Sequence, residues 1–454
     1  MNKYIKTFVI ILFNVFLVTL PSYSIDNDIV VNQKDTDVLV SKINYDDVIK
    51  KAQEHSYDLK IADFNILISK EGIRDAKSEY FPKLNASAST EYTKNFRDGR
   101  DTTVMSIGDS FINPYTRYQS VLGVALSYNL FDFGVRRNVL NAAKEDVKVK
   151  ELELEEKFQD LTLNVTDTYA KALMTDMQIK NFQEMQTILE KNLEYSKRLY
   201  EARVISSMEL KNANIALEDV KRQLNDLKQI KEESLNWLTF YTGEKYDVQN
   251  IKIAEFKSSK FDPFKQNDYT KSVTWKVHEL MINKKEFELK AAQRLNYPKV
   301  TLYSRYYLYG SNKSNYAKSI DDIQPSNYSI GGSINMPLFD GFKNAANIQT
   351  KKLELQQLYV ERDKAIAELT AKLSTMRSNI INLNSQLEND EVIQKNLNEK
   401  YNAANKLLSK RMISPMEVNN AKIEILKEQN EFIKNKVAIS ATEKGIEALT
   451  REYE

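Results

Sequence analysis

Apolar and polar positions along this chain follow two different periods. Between 135 and 202 the apolar residues Phe158, Leu161, Val165, Tyr169, Ala172, Ile179, Phe182, Leu189 and Leu193 step by threes, fours and sevens. That spacing marks one buried stripe along a helix. At 1.5 Å per residue the helix would run about 100 Å, beyond an ordinary globular helix, which predicts a coiled-coil arrangement. A similar rod is predicted from about 343 to 410.

Four shorter segments alternate with period two, the mark of strands with unlike faces. They cover about 84–93, 121–130, 300–309 and 328–338. In the first, Leu84, Ala86, Ala88, Thr90 and Tyr92 alternate with Asn85, Ser87, Ser89, Glu91 and Thr93. In the second, Leu122, Val124, Leu126, Tyr128 and Leu130 share a face. Val300, Leu302, Tyr306 and Leu308, then Tyr328, Ile330, Ile334 and Met336, repeat the pattern. Helix breakers respect this division. Residues 135–242 contain neither glycine nor proline, and 342–454 contain only Pro415 and Gly445. The rest concentrate around the predicted strands, including Pro82, Gly123, Gly134, Pro298, Gly331 and Gly341, where turns are needed.

The chain also repeats itself. Phe81-Pro82-Lys83-Leu84 matches Tyr297-Pro298-Lys299-Val300, and Leu130-Phe131-Asp132 matches Leu338-Phe339-Asp340. Arg203-Val204-Ile205-Ser206-Ser207-Met208-Glu209-Leu210 matches Arg411-Met412-Ile413-Ser414-Pro415-Met416-Glu417-Val418. Each half reads helix, two strands, long helix, reversal, helix: a duplicated unit expected to pack beside its copy. The organisation expected is 1–24 as a leader, 25–242 as the first repeat, 243–267 as a joining segment and 268–454 as the second repeat. Reversals fall near 203–208 and 411–416.

The leader matters for compartment. Lys3 and Lys6 precede an apolar run from Phe8 to Leu20, followed by Pro21 and Ser22-Tyr23-Ser24. That is the layout of a secretory signal cleaved after Ser24, and the run falls short of the ~20 residues a spanning helix needs. No cysteine follows for lipidation. With no other apolar run of that length, a membrane location would have to rest on alternating β-strands. Strands of about ten residues suit that role, as do the aromatic residues at their ends, Phe81, Tyr118, Phe131, Phe133, Tyr297 and Phe339. Four strands cannot close a barrel, and lipid tolerates no open edge. Other copies must complete it; two would supply eight strands and three twelve. The connections 97–117 and 312–325 are polar and are expected as exposed loops.

Composition narrows the chemistry. The chain carries 65 Lys+Arg against 63 Asp+Glu. Without the leader's two lysines the formal charge is zero, which argues against a nucleic-acid partner. The absence of cysteine removes thiolate metal sites, disulfides and cysteine nucleophiles. His55 and His278 have no His or Cys nearby in sequence, and no glycine-rich phosphate loop follows a strand. No catalytic residue, metal or cofactor is expected.

The strand starts, the Leu-Phe-Asp strand ends, the twofold repeat and the matched reversals together resemble the TolC family of outer-membrane channels, over essentially the whole chain after the leader. The resemblance implies a mainly α fold with a membrane β-barrel. A homotrimer would build a twelve-stranded barrel, four strands per chain, continuous with a long α-helical coiled-coil tunnel. Pro82, Pro298, Asp132 and Asp340 would mark where chain passes into and out of the barrel. The chain would not be an enzyme. It would be a passive exit duct of a tripartite efflux pump or type I secretion system in the outer membrane. Its partners would be a periplasmic adaptor and an inner-membrane transporter.

In the family the helical reversals form the periplasmic tip. The tip motif usually opens with glycine, followed by Ser or Thr and, six positions on, an acid. Ser206 and Ser414 fit, as do Glu209 and Glu417, but Arg203 and Arg411 stand where glycine is usual. Arg203, Val204, Ile205, Ser206, Arg411, Met412, Ile413 and Ser414 become adaptor-docking candidates. The two arginines could impose a different turn, or pair with Glu209 or Glu417. The resemblance places a gate at Glu417 and Glu209; a second acidic ring would fall at Asn420, which is uncharged. Glu417 carboxylates near a threefold axis would attract cations. A periplasmic adaptor of the membrane-fusion type is the alternative, but its lipoyl-like, glycine-containing β segments are missing.

Overall fold

The computed structural model describes residues 42–94, 105–107, 110–112, 118–257, 261–265 and 268–451. The leader, and most of the 97–117 connection, therefore lie outside the described residues. The elements run in this order. A two-residue strand β1 (Lys42–Ile43) precedes helices α1 (Tyr45–His55) and α2 (Tyr57–Ser78). Strands β2 (Lys83–Tyr92), β3 (Met105–Ile107), β4 (Ser110–Ile112) and β5 (Tyr118–Phe131) follow. Next come α3 (Val135–Glu201), α4 (Ser207–Thr242), β6 (Lys252–Ile253) and α5 (Val273–Arg294). The second half adds β7 (Lys299–Asn312), α6 (Tyr316–Asp321), β8 (Gln324–Asn335), α7 (Lys343–Ser409) and α8 (Pro415–Leu449). The structure is mainly helical. Its two longest helices, α3 and α7, have 67 residues each.

The chain forms two compact units. The first, described over 70–94, 105–107, 110–112, 118–145 and 283–355, holds a four-stranded antiparallel sheet in the order β2-β5-β7-β8. The central contact joins the two sequence halves: β5 pairs with β7, Leu122 opposite Leu308 and Val124 opposite Tyr306. Period-two alternation puts Leu84, Leu126, Leu302 and Ile330 on one face, with Asn85, Ser127, Thr301 and Ser329 on the other. A register shift between Asn129 and Phe131 brings Phe131 opposite Val300. Among the described residues, β2 and β8 each have one edge without a strand partner.

One connection differs from the sequence expectation. Residues 312–325 include the short helix α6, which lies against the apolar face of the sheet rather than standing off as a polar loop. Ser319 is fully buried, its hydroxyl 2.7 Å from that of Ser120. Ile323 packs with Leu308, Leu122 and Val124, and Tyr316 meets Tyr118 edge-on at 4.8 Å. The apolar side chains of this otherwise polar segment, Tyr316, Ala317, Ile320 and Ile323, were too few to produce a visible period.

The second unit, described over 42–69, 146–257, 261–265, 268–282 and 356–451, is helical. Its largest core joins Val48, Ala52 and Leu59 of α1 and α2 to Leu161, Val165, Tyr169 and Leu173 of α3 and to Leu235 and Leu238 of α4. The stripe along α3 thus becomes the spine of this core. The joining segment packs here too: Tyr246 and Ile251 are buried, β6 pairs parallel with β1, and the Tyr169 hydroxyl donates to the Ala254 carbonyl at 2.7 Å. A second cluster joins Met185 and Leu189 of α3, Leu217 and Val220 of α4, and Ile423 and Leu426 of α8.

Candidate functional site: helix reversals and sheet ends

Both reversals lie in the helical unit and share one construction. α3 ends as the Val204 N–H donates to the Leu199 carbonyl at 2.8 Å and the Arg203 N–H to Tyr200 at 2.9 Å. α7 ends the same way, Met412 donating to Leu407 at 3.0 Å and Arg411 to Leu408 at 2.8 Å. This is the six-to-one and five-to-two pairing of a Schellman cap, whose turning residue is left-handed. Arg203 and Arg411 occupy that position, each with φ of 57°. The glycine-type turn therefore forms with arginine in both halves, despite its steric cost.

The next helices start at once. Ser206 caps α4 and Ser414 caps α8, each in a reciprocal capping box. The Glu209 carboxylate accepts from the Ser206 backbone N–H at 2.7 Å and from its hydroxyl at 3.1 Å. Glu417 accepts the equivalent bonds from Ser414, both at 3.4 Å. Pro415 sits at the first turn of α8, where its missing N–H costs nothing. Both carboxylates are thus engaged with their own caps, and neither Arg203 nor Arg411 pairs with them within the chain. Arg203, Val204, Met208, Arg411 and Met412 are exposed; Ile205 and Ile413 are half-buried.

Asn420 belongs to a feature the sequence reading missed. Asn192, 4% exposed within the α3 stripe, donates to Asn420 at 3.3 Å and accepts from Asn419 at 2.6 Å. Farther along, Asn181 donates to Asn430 at 2.8 Å and Asn435 to Asp390 at 2.8 Å. These bonds pin α8 to its neighbours at fixed registers. A polar residue interrupting an apolar stripe was the available signal. Another buried polar contact, Lys231 to Asp176 at 2.8 Å, ties α4 to α3.

At the sheet ends Asp132 is a hub. It accepts from the backbone N–H groups of Gly134 at 3.1 Å and Arg136 at 3.2 Å, and from Arg136 Nε at 2.8 Å. Asp340 accepts from the Asn344 N–H at 2.8 Å. Two left-handed residues follow each aspartate, Phe133-Gly134 and Gly341-Phe342, so the strand-to-helix turn is the same in both halves. Pro82 and Pro298 precede the first residues of β2 and β7. The described residues contain no group of three side chains suited to a metal ion, and no helix among them is long and apolar enough to cross a membrane.

A sheet with one apolar face, followed in each half by a very long helix that reverses through a capped turn, defines a channel-forming outer-membrane protein. The profile of the family described as "Outer membrane efflux protein" matches residues 48–244 and 277–450, and the chain belongs to that family. The fold is similar to that of solved outer-membrane channels. CmeC of Campylobacter jejuni has 17% identity and a TM-score of 0.73, over 90% of this chain and 87% of that one. VceC of Vibrio cholerae has 16% identity and a TM-score of 0.71, over 90% and 97%. MtrE of Neisseria gonorrhoeae, in its open state, has 16% identity and a TM-score of 0.64, over 89% and 88%. No curated protein sequence matches significantly. The protein is an outer-membrane exit duct of the efflux type, and the periplasmic-adaptor alternative is set aside.

Proposed function

We propose that three copies of this chain close a twelve-stranded barrel and that the reversals at 202–206 and 410–414 form the periplasmic tip of a passive duct. The observation that carries this reading is the four-stranded sheet with two open edges and one apolar face, which lipid does not tolerate unless other copies pair with it. Large apolar side chains left uncovered on the lone chain, such as Val360, Ile381 and Val392 along α7, support helix packing between copies. Native mass spectrometry of the detergent-solubilised protein tests the stoichiometry; a monomer or dimer would overturn it.

In this reading Glu417, and Glu209 in the first half, line the closed end of the duct, and Asn420 supplies no second acidic ring. The exposed Arg203, Val204, Arg411 and Met412 dock a periplasmic adaptor, with Ile205, Ser206, Ile413 and Ser414 shaping the turns. An inner-membrane transporter supplies the energy and selects the cargo, drug or protein. Planar-bilayer conductance tests the gate. A small cation-selective conductance that loses selectivity in Glu417→Gln is the expected result; unchanged reversal potentials would remove Glu417 from the gate.

A further inference from the structure

The helices of the two halves repeat with a fixed spacing. α3 and α7 have 67 residues each and begin 208 positions apart, at Val135 and Lys343. α4 and α8 also begin 208 apart, at Ser207 and Pro415. α2 and α5 have 22 residues each and begin 216 apart, at Tyr57 and Val273. Repeated elements bury equivalent surfaces when they meet equivalent partners. On a single chain these do not. Leu152, Leu173 and Met185 of α3 are at most 4% exposed. Their equivalents on α7 are Val360, Ile381 and Ile393, also apolar, and each is at least 43% exposed. The stripe that α3 buries, α7 leaves open.

What covers α3 comes from the second half. Leu152 clusters with Val273 and Val277 of α5, and Leu280 packs against them. Met185 clusters with Ile423 of α8. Asn181 donates to the Asn430 side chain at 2.8 Å and Gln178 to its carbonyl at 3.2 Å. Leu163 stands 3.4 Å from where a Cβ on Gly445 would lie. The equivalents of these covering residues lie in the first half, and their apolar members are exposed. Tyr57, Ile61 and Phe64 of α2 match Val273, Val277 and Leu280. On α4, Ile215 matches Ile423 and Trp237 matches Gly445. The amides recur on α7 as Gln386 and Asn389, both exposed, with Arg222 of α4 at the position of Asn430. Size is exchanged as well: Gly445 makes room for Leu163, whereas the large Trp237 corresponds to a partner position held by Ala371. One chain thus carries a covering surface and an open stripe, both exposed. That is the arrangement of a head-to-tail contact that closes into a ring.

Building on the trimer reading, we infer that α2 and α4 of one copy cover α7 of the next in the register by which α5 and α8 cover α3 within the chain. Tyr57, Ile61 and Phe64 then pack on Val360, Ile215 on Ile393 and Trp237 on Ala371, and Arg222 donates to Asn389. Oxidation of cysteine pairs in the full-length, detergent-solubilised protein tests this on a background without native cysteine. Val360→Cys combined with Tyr57→Cys or with Ile61→Cys should give covalent trimers for at least one of the two pairs. Val360→Cys with Ile68→Cys shifts one thiol by about 10 Å, two turns along α2. It should cross-link at least about tenfold less, because a disulfide needs Cα atoms within about 7 Å. Each single variant should run as a monomer on denaturing gels, since a head-to-tail joint brings unlike residues together. All four positions are exposed on the single chain, so the variants keep its fold. Dimers from Ile61→Cys or Val360→Cys alone would overturn the head-to-tail joint, and an equal yield from the Ile68→Cys pair would overturn the register. Native mass spectrometry of the same samples separates the two readings. Trimers that cross-link at neither pair lose only this joint, whereas monomers lose the trimer as well.

Discussion

Arg203 and Arg411 hold a backbone conformation that glycine adopts freely and a side chain with Cβ adopts at a cost of about 1–2 kcal/mol. Arg203→Gly and Arg411→Gly should therefore raise stability, by about 1 kcal/mol each, measured by denaturant unfolding of the purified protein. A loss of stability would mean that the arginine side chains hold the turns together. Glu417 carries two roles that substitution can separate. Glutamine also completes a capping box, so Glu417→Gln removes charge while leaving the cap. Glu417→Ala removes both and should cost about 1 kcal/mol. If the two variants lose stability equally, the capping box contributes nothing to α8. From the sequence alone the serine–glutamate spacing was legible at both reversals. The left-handed arginines were not, because nothing in an Arg-Val-Ile or Arg-Met-Ile string announces a positive φ; only the Schellman hydrogen bonds impose it.

At the scale of elements, a ring of alternating charges joins α5 to α7. Lys285 meets Glu288 at 2.8 Å and Glu354 at 3.1 Å, and Lys351 meets the same two at 3.0 and 3.2 Å. Burial alone would raise the Glu288 pKa, but the hydrogen bonds from Lys285 and Lys351 outweigh it and hold it below its ordinary value. Glu354 is lowered by the same two lysines, and Lys351 is raised chiefly by Glu288. For the two glutamates the stabilisation is complete above the ordinary carboxylate pKa of about 4.3 and is lost as pH falls through their depressed folded values. For Lys351 it is complete below about pH 10.4 and is lost as pH rises through the raised folded value. Melting temperatures measured against pH should fall less steeply in acid for Lys351→Met than for the parent chain; parallel curves would show the ring to be idle. The α6 connection offers a second test. A Cβ on Gly310 would stand 2.0 Å from the Ser319 carbonyl oxygen and 2.8 Å from Ile323. Gly310→Ala should lift the connection off the sheet and speed tryptic cleavage at Lys313 and Lys318. Unchanged cleavage would show that the backbone yields without releasing it.

At the scale of the whole molecule, the proposed trimer turns on the edges of β2 and β8, which no strand among the described residues covers. The absence of cysteine makes this testable on a clean background. Cysteine pairs introduced along β2 and β8, sampled over several registers, should give covalent trimers on oxidation for at least one register. Monomers at every register would argue against edge-to-edge closure.

Much of the architecture was written in periodicity. Apolar stripes at helical spacing, alternating segments and the confinement of glycine and proline to two zones are local properties, and local sterics and solvation decide them. The repeat was visible because matched turns need matched residues, as at Asp132 and Asp340 or Ser206 and Ser414. What required the tertiary structure were partnerships between residues distant in sequence. The β5–β7 pairing across the halves, the amide pins of Asn192 and Asn435 and the α6 segment on the sheet are of this kind. Each depends on which surfaces meet, and no periodicity encodes a meeting between Ser120 and Ser319 or between Asn181 and Asn430.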